Sequence, residues 1–373
     1  MAANNRGNWN FSDIAHKETQ YLTHCFHPYP AKFIPQIPRR LIEMYAPRRE
    51  DEVLDPFCGS GTTLVEAKLM GRPSLGIDTN PLAIMISRSK VNPIKKKQLE
   101  KFIIWLENWK QKELKTLRPH RTFFHDDSAW FREDVLGQIE LILEEIKKVQ
   151  DSNTRNFIKV ALSSILKGVS NARMDRIMPA LPRKPVYVDH KHYDRMVDND
   201  KRNINVFARL SSRLKLMQSR LELFLSAASN VRTIAYLGDA RNFEKINSDF
   251  LEEGIKLVIT SPPYWSAFDY KKLHQLSINL FNLRTKSLDA EIGRKNFLND
   301  MERVYDQISK HLVERGIFCL IIGRSKRGIN RRLADVGCRY GMLLCEKFAR
   351  RIRNHSFFVK GIKSEEILVF QKR

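Results

Sequence analysis

Two kinds of hydrophobic pattern divide the chain. Short apolar runs bounded by Gly, Pro, Asp or Asn lie toward both ends; they are "DEVLDPF" and "RPSLGID" early on, and "RTIAYLGD", "IKLVITSPP", "GIFCLIIG" and "EEILVFQKR" after about residue 230. Such runs are typical of buried strands. The Gly-rich turn "CGSGTT" and the helical segment "LVEAKLMG" separate the first two runs. This order predicts half of a doubly wound α/β unit.

Helical spacing dominates the middle of the chain. The segments "QLEKFIIWLENWKQKEL", "EDVLGQIELILEEIKKV", "RNFIKVALSSIL" and "NVFARLSSRLKLMQSRLELFL" repeat apolar residues every three or four positions, and only "PVYV" suggests a strand there. We therefore predict one α/β domain, residues 1–92 and 231–373, interrupted by a mostly helical insertion, residues 93–230.

The charge balance narrows the class of partner. Lys and Arg number 65 against 42 Asp and Glu, a net charge of +23. A polyanion, first of all nucleic acid, is the expected partner, and a positive surface that only aids solubility is the alternative. Five scattered cysteines without a CxxC pair predict neither a zinc site nor disulfides. The N-terminus lacks a signal pattern and no run approaches the roughly 18 apolar residues of a membrane span, so we expect a cytoplasmic protein.

The turn "DPFCGSGTT" follows a predicted strand and opens a helix, the place where α/β folds bind small molecules. Gly59 and Gly61 allow a tight turn and close approach of the backbone to a ligand. The spacing matches neither the Lys-bearing phosphate loop nor GxGxxG. Asp78 ends the next strand about 20 residues later, where an acid accepts hydrogen bonds from ribose hydroxyls. Together they predict a nucleoside cofactor.

Two later strand ends carry further polar groups. Asp239 in "LGDAR" is placed to accept from an adenine amino group, and a helix N-cap is its alternative role. In "TSPPYW" the Ser261 hydroxyl and the Pro262 carbonyl offer two acceptors for an NH₂ group, and Tyr264 offers a flat face for stacking. Two prolines would hold this geometry, although a stiffened turn with core aromatics is the structural alternative.

Four motifs in this order, "DPFCGSGTT", "GIDTNP", "LGDAR" and "TSPPYW", resemble those of the DNA amino-methyltransferases, S-adenosylmethionine-dependent enzymes that methylate cytosine N4 or adenine N6. The upstream segment "HPYPAKFIPQIPRRLI" is similar to the one that packs beside the methionine part of the cofactor in that family. The resemblance covers about residues 20–90 and 233–373. It implies a Rossmann-like methyltransferase sheet with a closing antiparallel hairpin.

The resemblance also implies roles for individual residues. The cofactor-binding set is Tyr29, Lys32, Asp55, Phe57, Gly59, Gly61, Thr62, Asp78 and Asp239, and the catalytic set is Ser261, Pro262, Pro263 and Tyr264. A leading Ser goes more often with cytosine N4 and a leading Asp or Asn with adenine N6, so we expect cytosine N4. Adenine N6, an exocyclic amine in structured RNA, and a binding module without turnover stay open as alternatives.

Two basic stretches are candidates for contact with DNA. One, inside the insertion, contains Arg183 and Lys184; the other contains Arg324, Lys326 and Arg327 near the predicted last strands. Solvated loops are the alternative for both. The family usually places its target-recognition region after the third or a later motif, whereas here the large insertion precedes "LGDAR". The expected partners are duplex DNA with a flipped target base and a cognate restriction endonuclease, with the protein acting as a monomer without a metal.

Overall fold

The computed structural model of the 373-residue chain describes residues 8–30, 32–174, 178–181, 204–243, 246, 249–263, 269–284, 296–324, 328–352 and 364–373. Its strands are β1 Val53–Asp55, β2 Ser74–Asp78, β3 Thr233–Leu237, β4 Ile255–Thr260, β5 Leu312–Gly323, β6 Met342–Arg351 and β7 Ser364–Lys372. They form one sheet in the order β3-β2-β1-β4-β5-β7-β6. Strands β1 to β5 pair in parallel, and β7 runs antiparallel to both β5 and β6. The predicted doubly wound sheet and closing antiparallel hairpin are confirmed.

Helices follow the strands in the predicted alternation. The first part contains two 3₁₀ helices, His16–Thr19 and Leu22–Cys25, then α1 Gln36–Tyr45, α2 Thr62–Leu69 and α3 Pro81–Val91. The insertion contains α4 Lys96–Glu107, α5 Gln111–Leu114, α6 Asp127–Trp130, α7 Glu133–Lys148, α8 Ser152–Val169 and α9 Val206–Ala227. The last part contains α10 Asp249–Glu253, α11 Tyr270–Leu273, α12 Gln275–Leu280, α13 Phe297–His311 and α14 Ile329–Arg339. The helical character of the insertion is confirmed, and "PVYV" lies outside the described residues.

Both faces of the sheet are covered, which explains the near-continuous apolar runs of its strands. In β4, Leu257 and Ile259 face a cluster that includes Ile37 and Leu41 of α1. Val258, between them in sequence, points to the opposite face and joins a second cluster. This alternation is the period of two that a pleated strand imposes on its side chains.

The insertion packs onto the α/β half rather than standing apart from it. Phe102, Phe157 and Phe224 of its helices lie in one continuous apolar cluster with Val65 of α2 and Ile86 of α3. Side-chain caps fix the starts of two of its long helices: the Asp151 carboxylate accepts from the Thr154 backbone N–H at 2.8 Å before α8, and Asn205 accepts from the Ala208 backbone N–H at 2.8 Å before α9. This shared core holds the insertion against α2 and α3.

All five cysteines lie in described positions and none forms a disulfide. Within the described ranges, no group of three or more His, Cys, Asp or Glu side chains is arranged to hold a metal ion. No described helix has both the length and the apolar character that crossing a membrane requires.

Candidate active site

The candidate site lies at the carboxyl ends of four neighbouring strands. Because β3, β2, β1 and β4 are adjacent and parallel, the residues at or just after their ends line up along one edge of the sheet. These residues are Asp239, Asp78, Asp55 and Ser261. The topology therefore brings together motifs that stand up to about 200 residues apart in sequence.

The Gly-rich turn after β1 depends on two glycines in the left-handed region. Gly59 has φ 50° and Gly61 has φ 77°. A Cβ atom on Gly61 would lie 2.8 Å from the Ser87 hydroxyl oxygen, closer than any real side chain approaches. The Gly59 backbone N–H donates to Asp78 Oδ2 at 2.9 Å, which ties the turn to the end of β2. Backbone conformation and close packing both require glycine at position 61.

Asp78 keeps capacity for a ligand although two backbone groups already bind it. Its Oδ1 accepts from the Asn80 backbone N–H at 2.8 Å, while Oδ2 accepts from Gly59. Each carboxylate oxygen has two lone pairs, so both still have one to offer to ribose hydroxyls. Burial raises the pKa of Asp78 to about 6, against the effect of these two hydrogen bonds.

Asp55 is buried between the turn and β4. Its Oδ2 accepts from the Thr63 hydroxyl at 2.6 Å, and its Oδ1 accepts from the Thr260 hydroxyl at 2.6 Å and from the Phe57 backbone N–H at 3.1 Å. Burial raises the pKa of Asp55 to about 6, although these hydrogen bonds lower it. The structure thus shows Asp55 joining the Gly-rich turn to the strand that leads to Ser261. A direct contact between Asp55 and the cofactor stays a prediction.

Asp239, after β3, is held by an arginine two residues on. Arg241 donates from Nε to Asp239 Oδ1 at 3.0 Å and from Nη2 to Oδ2 at 2.6 Å, and its Nη1 reaches Asp300 Oδ1 at 2.8 Å. Burial acts to raise the pKa of Asp239, but the hydrogen bonds from Arg241 outweigh it and hold the pKa below its ordinary value. Asp239 is therefore an ion-pair partner in a turn and not the N-cap of a described helix. Its contact with adenine stays a prediction.

The upstream segment reaches the same turn. The Tyr29 ring is buried beside Gly59, where an added Cβ would meet Tyr29 Cε1 at 3.4 Å. Asn80 Nδ2 donates to the Tyr29 hydroxyl at 3.3 Å. Lys32 Nζ donates to the His24 carbonyl at 3.1 Å, and burial lowers its pKa to about 8. Tyr29 thus lies beside the Gly-rich turn, and its contact with the cofactor stays a prediction. The hydrogen bonds seen for Lys32 among the described residues are with Gln20 and His24, so its cofactor contact also stays a prediction.

A buried carboxylate that the sequence reasoning missed supports this arrangement. Glu66 of α2 accepts hydrogen bonds from Tyr21 Oη at 2.5 Å, from His24 Nε2 at 2.7 Å and from Arg39 Nε at 2.7 Å. Burial acts to raise the pKa of Glu66, yet these partners keep it below its ordinary value. The signal in the sequence was the single acidic residue of α2, the helix that the Gly-rich turn opens.

The described part of the tetrapeptide follows β4 directly. Pro262 is buried, and Ser261 and Pro263 are partly buried. Tyr264 lies outside the described residues, as do Arg183, Lys184, Lys326 and Arg327. Arg324 is described; it is 70% exposed, and its Nε lies 3.7 Å from Glu366 Oε1. The remaining cofactor residues, Phe57 and Thr62, lie in the turn and at the start of α2.

Comparison with known proteins shows which proteins the chain is similar to. Residues 3–89, which contain the upstream segment, the Gly-rich turn and Asp78, match the N6/N4 methyltransferase family described as DNA methylase. The Type II methyltransferase M.MvaI of Kocuria varians is 27% identical over 301 residues, 77% of this chain and 62% of the relative. Residues 3–89 are thus similar to the N6/N4 DNA methylase family, in agreement with the resemblance that the motifs indicated.

Other proteins to which the chain is similar carry the same type of name. M.MjaII of Methanocaldococcus jannaschii is 21% identical over 93% of this chain and 79% of its own length, and M.BsoBI of Geobacillus stearothermophilus is 25% identical over 76% and 59%. The chain thus spans about three fifths of M.MvaI and M.BsoBI. A solved rRNA methyltransferase, aviRa from Streptomyces viridochromogenes, aligns over 92% of this chain and 87% of its own at 9% identity, with a TM-score of 0.36.

The expected cofactor, S-adenosylmethionine, is confirmed by the match of residues 3–89 to this family. The described residues fit it. The two left-handed glycines leave the backbone of the turn open to close approach, and Asp78 has free lone pairs at the next strand end. The Ser60 hydroxyl, inside the turn, is buried and has no hydrogen-bond partner in the described structure. This hydroxyl can therefore donate to or accept from a ligand bound at the turn.

Proposed function

We propose that the protein methylates the exocyclic N4 of cytosine in duplex DNA at a specific sequence, using S-adenosylmethionine. The observation that carries the proposal is the hydrogen bond from Thr260 to Asp55, which fixes Ser261 and Pro262 beside the Gly-rich turn. A methyl acceptor held at Ser261 would lie next to the cofactor. The choice of cytosine rests on the Ser at the head of the tetrapeptide, which in similar enzymes goes more often with cytosine N4.

The chemistry required of the chain is the positioning of an amino nitrogen. The lone pair of an aromatic NH₂ group is delocalised into its ring, which makes the nitrogen a poor nucleophile. The Ser261 hydroxyl and the Pro262 carbonyl would accept its two hydrogens and favour a tetrahedral nitrogen in the transition state. Bound S-adenosylmethionine would supply a methyl group on a positively charged sulfur. The amino nitrogen would bond to the methyl carbon as the carbon–sulfur bond breaks, the sulfur would leave as a neutral thioether, and the nitrogen would release one proton to solvent.

No covalent enzyme intermediate is needed in this proposal. Cys58, in the Gly-rich turn, is buried, and burial raises the pKa of its thiol well above the ordinary value. The thiolate that would act as a nucleophile is therefore disfavoured. Its side chain also packs against Gly76 of β2, inside the sheet layer rather than at the strand ends.

The charge of the chain supports a nucleic-acid substrate. A net charge of +23 favours binding to the phosphate backbone. The target base must leave the duplex to reach Ser261, at a cost of a few kcal/mol that stacking on Tyr264 would offset. We further propose that the enzyme acts as a monomer in the cytoplasm of a bacterial or archaeal cell. There it would protect DNA against a restriction endonuclease of the same specificity.

Two other substrates are the rivals. Adenine N6 in DNA would bind the same pair of acceptors, because Ser261 accepts from any amino group. RNA is the second rival, since a tRNA (guanine(10)-N2)-dimethyltransferase of Methanothermobacter thermautotrophicus is 40% identical over 50 residues, 13% of this chain. A protein that binds the cofactor and nucleic acid without turnover is the non-enzymatic rival.

One experiment separates these functions. The full chain is incubated with methyl-labelled S-adenosylmethionine and, in parallel, with mixed-sequence duplex DNA and with total tRNA. The products are digested to nucleosides and identified by mass spectrometry. We expect labelled N4-methylcytosine from DNA alone. Labelled N6-methyladenine as the only product would show that adenine, and not cytosine, is the methylated base. Label in tRNA alone would show that RNA is the substrate. No label in either nucleic acid would favour the binding module without turnover.

A further inference from the structure

A second cavity lies between the insertion and the α/β half. Its volume is about 1050 Å³, and four segments distant in sequence surround it. They are the stretch before α1, the end of α8 with the residues that follow it, one face of α9, and α11 with α12. Representative lining residues are Pro28, Ser163, Met174, Arg209, Leu216 and His274. Among the described residues of the candidate active site, neither the Gly-rich turn nor Ser261–Pro263 lines it, so it is distinct from that part of the site.

Hydrogen bonds join three of these segments at the cavity wall. His27 Nε2 lies 2.8 Å from the Ser163 hydroxyl, which in turn lies 2.6 Å from the Ser277 hydroxyl. Two further ring nitrogens, His27 Nδ1 and His274 Nε2, are buried without a partner in the described part of the chain. Each unsatisfied polar group costs about 1–3 kcal/mol, and such costs persist in native proteins chiefly where function requires them.

Two stacked rings separate the cavity from the cofactor turn. The His274 ring lies 5.0 Å from the Tyr29 ring at an interplanar angle of 20°, and Tyr29 lies against Gly59. A molecule in the cavity would therefore lie close to the Gly-rich turn, with the rings of His274 and Tyr29 between them. This position suits a part of the substrate other than the base that is methylated.

The chemistry of the cavity suits a nucleotide. Pro28, Pro30, Met174 and Leu216 give apolar surfaces on which a flat base can pack. Exposed Arg209 lies on the same cavity wall and donates from Nη1 to the Gly168 carbonyl at 3.2 Å, so its other guanidinium donors can contact a phosphate.

We propose that this cavity binds an unstacked nucleotide of the DNA substrate other than the one that is methylated. The proposal rests on the proposed function, because it assumes that the target base flips out of the duplex. When that base leaves, the adjacent base or the base that was paired with it loses a stacking or pairing contact. It assigns the α8 and α9 helices of the insertion to substrate binding. The cavity volume accommodates a base together with its sugar and phosphate.

Helix α9 supplies matched variants for the test. Ser212 and Arg209 line the cavity, whereas Ser219 and Arg220 are exposed on the same helix and do not line it. Ser212→Trp should fill the cavity, with Ser219→Trp as its control. Arg209→Gln should remove one phosphate contact, with Arg220→Gln as its control. Thermal melting of all four variants checks that they fold. If a Trp variant does not fold, Arg209→Gln and its control Arg220→Gln still test the proposal.

Binding of a fluorescent duplex is measured by anisotropy at several salt concentrations, and S-adenosylmethionine binding by calorimetry. We expect Ser212→Trp to raise the Kd for DNA about tenfold or more, in line with the loss of one stacked base. Arg209→Gln should reduce the slope of log Kobs against log salt by about one. Both controls, and cofactor affinity in every variant, should stay within about twofold of wild type.

The outcomes keep the two proposals apart. If the wild type methylates DNA and the two cavity variants bind DNA like their controls, the cavity proposal is overturned and the proposed function stands. If the wild type binds DNA without methylating it, the proposed function fails, and the same comparison of variants still decides whether the cavity holds a nucleotide.

Discussion

The Thr260 hydroxyl donates a 2.6 Å hydrogen bond to Asp55 Oδ1, across 205 residues of sequence. Asp55 also accepts from Thr63 at the start of the helix that the Gly-rich turn opens. One buried carboxylate thus sets the position of the proposed catalytic serine relative to the proposed cofactor turn. We regard Thr260 and Asp55 as positioning residues, because the contacts seen for their side chains are with each other and with the turn.

Replacing Thr260 by Val should destabilise the fold in a pH-dependent way. Burial already raises the pKa of Asp55 to about 6, and the Thr260 hydrogen bond lowers it. Without that hydrogen bond the pKa of Asp55 rises further, because the ionised carboxylate loses a donor that stabilised it. The stability lost in Thr260→Val should therefore be largest, about 1–3 kcal/mol, above pH 6 and should shrink as the pH falls through 6.

Urea unfolding of both proteins between pH 4.5 and 8 measures this difference. Thr260→Ser keeps the hydroxyl and should restore most of the stability, with a pH dependence like that of wild type. A deficit in Thr260→Val that is the same at every pH would show that lost packing, and not the Asp55 hydrogen bond, is the cause.

Asp78 should make cofactor affinity depend on pH. Burial raises its pKa to about 6, and ribose hydroxyls bind best to the ionised carboxylate. Affinity for S-adenosylmethionine should therefore be highest above pH 6 and fall as the pH drops through it. Asp78→Asn should weaken binding about tenfold or more at pH 7.5 and remove most of this decline. Calorimetry between pH 5 and 8 measures both effects; Asp126→Asn, at an exposed helix cap, serves as the control.

The Gly-rich turn should not tolerate a side chain at position 61. Gly61→Ala combines a left-handed φ with a contact of 2.8 Å to the Ser87 hydroxyl. Gly341 has a similar φ of 74° but no atom within 4 Å of an added Cβ, so Gly341→Ala measures the backbone cost alone. We expect Gly61→Ala to lower the free energy of unfolding by about 1–3 kcal/mol more than Gly341→Ala. Equal losses of unfolding free energy in the two variants, measured by thermal or urea unfolding, would mean that the turn shifts to accommodate the added methyl group.

Glu66 should contribute more to stability than an exposed acid nearby. Its carboxylate accepts hydrogen bonds from Tyr21, His24 and Arg39, and Glu66→Ala would leave the His24 ring buried without this partner. We expect a loss of about 3 kcal/mol or more in urea unfolding at pH 7.5, and a loss within about 0.5 kcal/mol for Glu43→Ala on the exposed face of α1. Similar losses in both variants would contradict a structural role for the Glu66 cluster.

Local pattern was enough to predict the sheet and the helical character of the insertion. The strand ends carrying Asp55, Asp78, Asp239 and Ser261 followed from apolar runs that stop at polar or proline residues, because strands buried on both faces leave little ambiguity. Their order in the sheet was not predicted and comes from the structure. The cofactor and the closing hairpin were expected from the resemblance to DNA amino-methyltransferases and are confirmed, and residues 3–89 match that family.

Long-range partners of polar side chains were beyond the reach of the sequence. Nothing in "LGDAR" shows that Arg241 binds both carboxylate oxygens of Asp239, since a capping role fits the same letters. The contact of Glu66 with Tyr21 and the cavity beside Ser163 both depend on how the insertion and the upstream segment pack on the α/β half. Helical periodicity identifies the buried face of a helix but not its partner.

The Ser261 hydroxyl is the group on which the proposed reaction depends most. Single-turnover methyl transfer to DNA and calorimetric cofactor binding are measured for the wild type and for Ser261→Ala. We expect transfer to slow by about 100-fold or more, the usual effect of removing one group that stabilises a transition state, while the Kd for S-adenosylmethionine changes less than about threefold. Transfer at the wild-type rate in Ser261→Ala would contradict the assignment of this strand end as the site that holds the amino group.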